Sequence, residues 1–189
     1  MIYIPERKFD RVGKLLLYAN FVFIIFIVLL SIFFYYTLPD VVPVHFDYRG
    51  LPDSYGSKIV ILYIAMALIS AQIILLLVVV YRFKIVNKYP YLVSYPLITI
   101  LIGSDRISPD RKSHYINEIG KVTLIENLLL GILNVYILYD TYISMICRYV
   151  VYPLWTVVFM IIPIVIYPII AYRRLYSRLK SEIDGPAGI

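Results

Sequence analysis

A chain of 189 residues with 61% hydrophobic and 16% charged side chains falls outside the soluble range of roughly 45–50% apolar and about 25% charged. Eighteen Lys and Arg against twelve Asp and Glu give a net charge of +6, and the one cysteine, Cys147, has no partner within the chain for a disulfide. An ordinary water-soluble domain and a disulfide-stapled fold are both excluded, which leaves a bilayer protein.

A hydrocarbon core about 30 Å thick takes roughly 20 apolar residues per helix, and the stretches 15–36, 59–81, 122–142 and 149–172 reach that length. The first, LLLYANFVFIIFIVLLSIFFYY, carries no charge. It exceeds the roughly 7–15 apolar residues of a secretory signal, and no small-x-small cleavage site follows, so it reads as a retained anchor. Asn20 and Ser31 share one of its faces.

The loop 37–58 is polar and turn-rich. Pro39 and Pro43 preset φ and favour extended backbone before them, so VVPVHF is predicted as a strand-like piece. Gly50, Pro52 and Gly56 in RGLPDSYGS predict turns. A short connection between two helices that meet the same surface has to fold back as a compact cap. Val44 and Phe46 are expected to face the helices, with His45 and Asp47 on the opposite side by strand alternation. The second span, 59–81, is again uncharged, with Ala67, Ser70 and Ala71 on one side and Gln72 elsewhere.

Residues 82–121 are basic. Within them 89–103, YPYLVSYPLITILIG, is apolar but too short to span, and it holds Pro90 and Pro96; it is expected to be interfacial or re-entrant. SPDRKSHYINEIGKV follows, with Ser108 in N-cap position, Pro109 first in the helix and Asp110 in its first turn. Tyr115, Ile119 and Val122 repeat at helical spacing, which predicts an amphipathic helix on the inner leaflet running into the third span. A plain solvated connector is the alternative.

In the third span Gly120, Thr123, Asn127, Gly131, Asn134 and Thr141 fall within about 80° of one another at 100° per residue, with Leu138 the one large apolar residue among them. Small and hydrogen-bonding side chains on one stripe are the pattern of touching transmembrane helices; a polar path or small binding site is the other reading. Glu126 lies about 6 Å inside the boundary at 1.5 Å per residue, in reach of Lys121 or Asn20. The spans offer no further titratable group at depth, so an acidic relay for transport is weakly supported. Pro153, Pro163 and Pro168 are candidate kinks in the fourth span. The tail beyond Glu182 is expected to be disordered.

Fifteen of the eighteen Lys and Arg lie in the N-terminal tail, residues 82–121 and the C-terminal tail. The positive-inside rule therefore predicts a multi-pass cell-membrane protein with both termini cytoplasmic and loop 37–58 outside. The basic balance is a topology signal, with membrane lipids as its partner and no role for nucleic acid. The expectation is one polytopic domain, 1–189: an all-α integral membrane protein of four transmembrane helices with an extracytoplasmic cap loop. His114 falls on the inner side and cannot cooperate with His45.

LPDVVPVHFDYRGLPDSYGSK resembles the signature of the SdpI-like membrane protein family, which lies between a first and a second transmembrane helix. The matching positions are Leu38, Pro39, Pro43, His45, Phe46, Gly50, Pro52, Asp53 and Lys58. The departure is Asp47, where the family has Asn; it adds a negative charge beside His45. The resemblance implies a non-catalytic immunity or signalling protein, of the kind that protects a cell against a secreted peptide toxin. The founding type also holds a cytoplasmic repressor, a function not transferred to a chain of four spans.

Three readings of the loop stay open. It is a structural cap tied by Asp53 with Lys58 and by Asp47 with Arg49 or His45. It recognises an outside peptide or partner membrane subunit through a rim of Tyr48 and Tyr55. Or His45, Asp47, Asp40 and Asp53 ligate a metal or act as acid and base. No nucleophile–base pair, phosphate loop or zinc motif is present, so no catalytic or metal residue and no cofactor is assigned. The expected function is an extracytoplasmic recognition or sensing loop on a non-catalytic membrane protein. An accessory subunit of a larger membrane complex is the alternative, and a metal-dependent membrane enzyme or small transporter is third.

Overall fold

Six helices and one hairpin follow in chain order in the computed structural model, which describes residues 3–89, 96–150 and 154–184. They are α1 (Arg11–Thr37), β1 (Val41–Phe46), β2 (Pro52–Ser57), α2 (Val60–Val80), α3 (Arg82–Lys88), α4 (Pro96–Gly103), α5 (Pro109–Cys147) and α6 (Leu154–Asp184). α1, α2, α5 and α6 are long and apolar enough to cross a membrane. The chain is an all-α, multi-pass membrane protein carrying one small β-hairpin.

Helix ends follow local chemistry. Asp10 caps α1: its Oδ1 accepts from the Gly13 amide at 2.8 Å and its carbonyl from the Lys14 amide at 3.0 Å. At the other end Thr37 Oγ1 turns back onto the Phe33 and Phe34 carbonyls at 3.0 and 3.1 Å, and Pro39 prevents a further turn. Ser108 caps α5 through a long 3.4 Å bond from the Arg111 amide. α5 runs unbroken for 39 residues, about 58 Å at 1.5 Å per residue. The amphipathic stretch and the third span are therefore one helix. It stops where Arg148 takes a left-handed φ of 53°. α6 continues through Pro163 and Pro168 to Asp184. Pro90, Pro153 and the tail beyond Asp184 lie outside the described residues.

The fold divides into two compact units. One comprises Met1–Tyr18, Leu75–Glu126 and Val165–Ile189. Its core packs Phe83 and Val86 of α3, Leu97, Ile98 and Leu101 of α4, Tyr115, Ile116 and Val122 of α5, and Leu175 and Leu179 of α6. The apolar run of α4 and the apolar face of early α5 are thus covered by protein. The segment before α1 belongs to the same core: Ile4 is 2% exposed, and its backbone exchanges hydrogen bonds of 3.0 and 2.9 Å with the Asn87 amide. Asn117 Nδ2 holds the Arg7 and Lys8 carbonyls at 3.2 Å, and Ser113 Oγ holds that of Pro5 at 2.6 Å.

The other unit comprises Ala19–Ile74 and Asn127–Ile164. Its core joins Ile27 and Phe34 of α1, Val42 of β1, Ile61 and Ala65 of α2, and Leu138 and Met145 of α5. Phe34 stacks on Tyr142 with ring centroids 4.0 Å apart. The inward side of α2 is the one holding Ile61, Ala65 and Gln72; Ala67, Ser70 and Ala71 are exposed. Ser70 satisfies its hydroxyl on the Ala67 carbonyl of its own helix, 2.7 Å away, and needs no neighbour.

Candidate functional site

The connection between α1 and α2 is a two-stranded antiparallel hairpin, with Val41 opposite Ser57, Pro43 opposite Tyr55 and Phe46 opposite Pro52. Only VVPVHF was expected to be extended; PDSYGS pairs with it as a full second strand. The register shifts between Pro43 and His45 and again between His45 and Phe46. This bulge overturns the simple alternation, because an extra residue turns the side chains that follow it. Val42 and Pro43 are buried, whereas Val44 points out and lies over Gly56, where a Cβ would come within 2.9 Å of its Cγ1. Phe46 is half-buried and His45 exposed.

At the base of the hairpin Lys58 is the clamp. Its Nζ pairs with Asp40 at 3.0 Å, donates to the Leu38 carbonyl at 3.3 Å and stands 5.1 Å over the Tyr35 ring. The Lys58 amide also reaches the Asp40 carbonyl at 3.1 Å. The pairing of Lys58 with Asp53 is therefore corrected: Asp40, at the neighbouring strand end, is its partner. Asp53 pairs with His45, whose Nδ1 lies 2.6 Å from Asp53 Oδ1. A carboxylate only accepts, so the imidazole donates.

Asp47 organises the tip. Its Oδ1 accepts from the Arg49 amide at 2.8 Å and the Leu51 amide at 2.9 Å, while its backbone bonds Leu51 and Gly50 at 2.8 and 2.9 Å. It engages backbone, not the Arg49 guanidinium or His45 as expected, since an Asx side chain reaches the amides two residues on more easily than a long flexible cation. An Asn oxygen would accept equally well, so the departure from Asn leaves this role intact. Gly50 takes φ 79°, accepts from the Val150 amide at 3.0 Å, and faces Val150 so closely that a Cβ would meet it at 3.3 Å. Pro39 is exposed beside the end of α1, and Pro52 opens β2, where a missing amide costs an edge strand nothing.

Around this frame the apolar surface is presented outward. Tyr48 is 88% exposed, Leu51 49% and Tyr55 50%. The Tyr48 hydroxyl accepts from Arg49 Nε at 2.8 Å. Among the described residues no group of three or more His, Cys, Asp or Glu side chains is arranged to hold a metal ion; Asp40 and Asp47 are committed elsewhere, as above.

The polar seam of α5 is in place. Asn127, Gly131, Asn134 and Leu138 are buried. Asn127 Nδ2 donates to the Gln72 carbonyl and Gln72 Nε2 to the Asn127 carbonyl, both at 3.3 Å, and Asn134 Nδ2 donates to the Leu68 carbonyl at 3.0 Å. Gly131 admits this approach, since a Cβ there would lie 2.6 Å from Gln72 Nε2. Glu126 is half-buried. Lys121, a partner expected for it, pairs instead with Asp10 at 3.0 Å and Glu118 at 2.5 Å.

One cluster had no signal in spacing or motif. Arg82 donates to Asn117 Oδ1 from Nε (2.9 Å) and Nη2 (2.6 Å), to the Val79 carbonyl at 3.0 Å and to the Arg7 carbonyl at 3.1 Å. Its guanidinium lies 3.7 Å over the Phe9 ring. Burial lowers its pKa to about 10, which keeps it cationic at neutral pH.

Residues 22–69, which enclose the whole hairpin, match the family described as a domain of unknown function, DUF1648. An Archaeoglobus fulgidus protein described as "Uncharacterized protein" is 32% identical over 119 residues, covering 63% of this chain and 64% of that protein. The chain thus spans less than two thirds of that relative's length. No solved structure matches. What the comparisons attach to this chain is a DUF1648-like segment from the middle of α1 to Ile69 of α2, built around the hairpin.

Proposed function

We propose that the chain is a non-catalytic membrane protein whose hairpin binds a peptide or a partner membrane subunit on the extracytoplasmic face, in the manner of SdpI-like immunity or signalling proteins. The observation that carries this reading is Tyr48, 88% exposed at the apex of a turn held by Asp47 and docked through the Gly50 carbonyl. An exposed aromatic on a pre-ordered turn binds without the loop-ordering cost that a flexible segment incurs. Leu51 and Tyr55 extend the apolar rim; of the motif positions, Leu38 and Lys58 fix the base of the hairpin, Pro43 is buried along β1, and Gly50 holds the tip. The excess of Lys and Arg in the tails and in residues 82–121 supports cytoplasmic termini.

A photo-crosslinking amino acid at position 48, in intact cells, tests it. A discrete adduct is expected, absent when the same probe replaces Ser57 at the hairpin base. A membrane-inserted protein that gives no position-48 adduct in the presence of its native membrane and medium sinks the reading.

The accessory-subunit reading draws support from α6, whose apolar stretch has no buried side chain among the described residues. Lipid or another subunit has to cover it. Stoichiometric co-purification in mild detergent would favour the subunit.

A further inference from the structure

A groove of about 740 Å³ opens where the N-terminal segment, the first turns of α1 and the α2–α3 corner meet. Its polar lining is one-sided. Arg7, Lys8, Lys14, Arg82 and Lys84 face it, with Glu6 the one carboxylate. None of these five cations has a carboxylate within ion-pair distance among the described residues, and Lys8, Lys14 and Lys84 are exposed. The fifth, Arg82, is different in kind. Its guanidinium is stacked on Phe9 and bonded to Asn117 and to two backbone carbonyls, so it is a fixed charge in the floor rather than a mobile hand.

The other wall is apolar. Leu17, Tyr18, Val80 and Tyr81 form it, with Phe9 and Phe83 beside them, and Tyr18, Val80 and Tyr81 are 64%, 43% and 51% exposed. Leu17 and Tyr18 lie in the second turn of α1, where its apolar run begins, and Val80 and Tyr81 stand at the end of α2; both helices are long and apolar enough to cross a bilayer, and at such span ends side chains change from hydrocarbon-facing to headgroup-facing. A groove with cations on one side and span-end hydrocarbon on the other fits a ligand that is anionic at one end and greasy at the other.

We propose that this groove is a binding site for an anionic phospholipid, its phosphate among Lys8, Lys14 and Lys84 over the fixed charge of Arg82, and an acyl chain along Leu17, Tyr18 and Val80. A soluble phosphate compound satisfies the cations and leaves the apolar wall uncovered. A zwitterionic lipid covers the wall and carries its own cation into the basic side. The site is independent of the hairpin and of whatever the hairpin binds.

The test uses the full chain purified in mild detergent, exposed to equal amounts of phosphatidylglycerol and phosphatidylcholine, washed, and its retained lipid counted by mass spectrometry. Wild type is expected to keep phosphatidylglycerol in at least about fivefold preference, since several cations together attract an anionic headgroup. The triple variant Lys8→Gln, Lys14→Gln, Lys84→Gln is expected to lose that preference. Removing three charges elsewhere, by Arg173→Gln, Arg174→Gln and Lys180→Gln, is expected to leave it. Glycerol phosphate at millimolar excess is expected to displace nothing. Four results overturn the proposal: no preference in wild type, an unchanged preference in the groove variant, an equal loss in the control variant, or displacement by glycerol phosphate, which would mark a free-phosphate site. If the groove variant does not fold, a salt titration of wild type decides, because a preference insensitive to ionic strength is not built on these lysines.

Discussion

Gln72 and Asn127 are bound reciprocally: each side-chain amide donates to the other's backbone carbonyl at 3.3 Å, and both residues are 1% exposed. Two buried polar side chains thereby tie α2 to α5. Interhelical bonds of this kind contribute roughly 0.6 kcal/mol on average and up to about 1.7. Gln72→Ala and Asn127→Ala each delete one side-chain donor and leave the backbone acceptor of the other bond in place, so each single variant, read by unfolding in detergent, should lose stability in that range. A loss near zero in both variants would mean the pair is tolerated rather than stabilising.

Gly131 permits that pair to form. Gly131→Ala puts a methyl 2.6 Å from Gln72 Nε2 and 2.7 Å from Phe23 Cδ1, so both must move. Overpacking of this kind costs about 1–3 kcal/mol. Part of the loss should return when Gln72→Ala is added, which the same unfolding measurement reads.

The hairpin tip predicts a contrast between two substitutions of one residue. Asp47→Asn keeps an acceptor oxygen for the Arg49 and Leu51 amides and should change little. Asp47→Ala removes both bonds, at about 1 kcal/mol each. Hydrogen exchange at the Arg49 and Leu51 amides should accelerate in the Ala variant and stay near wild type in the Asn variant. Equal acceleration in both would show that charge, not the acceptor, holds the turn.

How much of this was legible beforehand differs from element to element. The spans were legible because a bilayer demands length and apolarity, and these can be counted. The α5 seam was legible because glycine, threonine and asparagine recurring at helical spacing have few other reasons to share a stripe. On α2 the same reasoning fails: Ala67, Ser70 and Ala71 look like a contact surface, yet a serine that bonds its own helix carries no information about neighbours. PDSYGS reads as turn residues, and it becomes a strand because β1 offers it backbone partners. The bulge at Val44 has no sequence mark at all. Phe9 is isolated among charges and Ile4 sits in a run too short to show a period, so their burial, and with it the Arg82 cluster, depends on contacts far along the chain.

Asp10 links that N-terminal segment to pH. The Gly13 amide and then Lys121 hold its pKa below the ordinary 3.8. A carboxylate with a lowered folded pKa stabilises fully above the unfolded value and loses its contribution as pH falls through the folded one. The stability advantage of wild type over Asp10→Asn should therefore be constant from neutrality down to about pH 4 and shrink below it. Protease accessibility of residues 3–10 across that range checks the effect; an advantage that grows in acid contradicts the assignment.

Topology is testable with single cysteines once the exposed Cys147 is replaced by serine. Tyr48→Cys should react with an impermeant reagent on intact cells, and Asp105→Cys only after lysis. Both positions are exposed, so side of the membrane, not burial, sets the outcome. The reverse pattern would invert the proposed orientation.

The hydrogen bond from the Val150 amide to the Gly50 carbonyl has a mechanical consequence. A load applied at Tyr48 is not confined to the two rods that carry the strands. It also pulls on the stretch just past Cys147, where α5 stops, so whatever grips the apex tugs at three helix ends together.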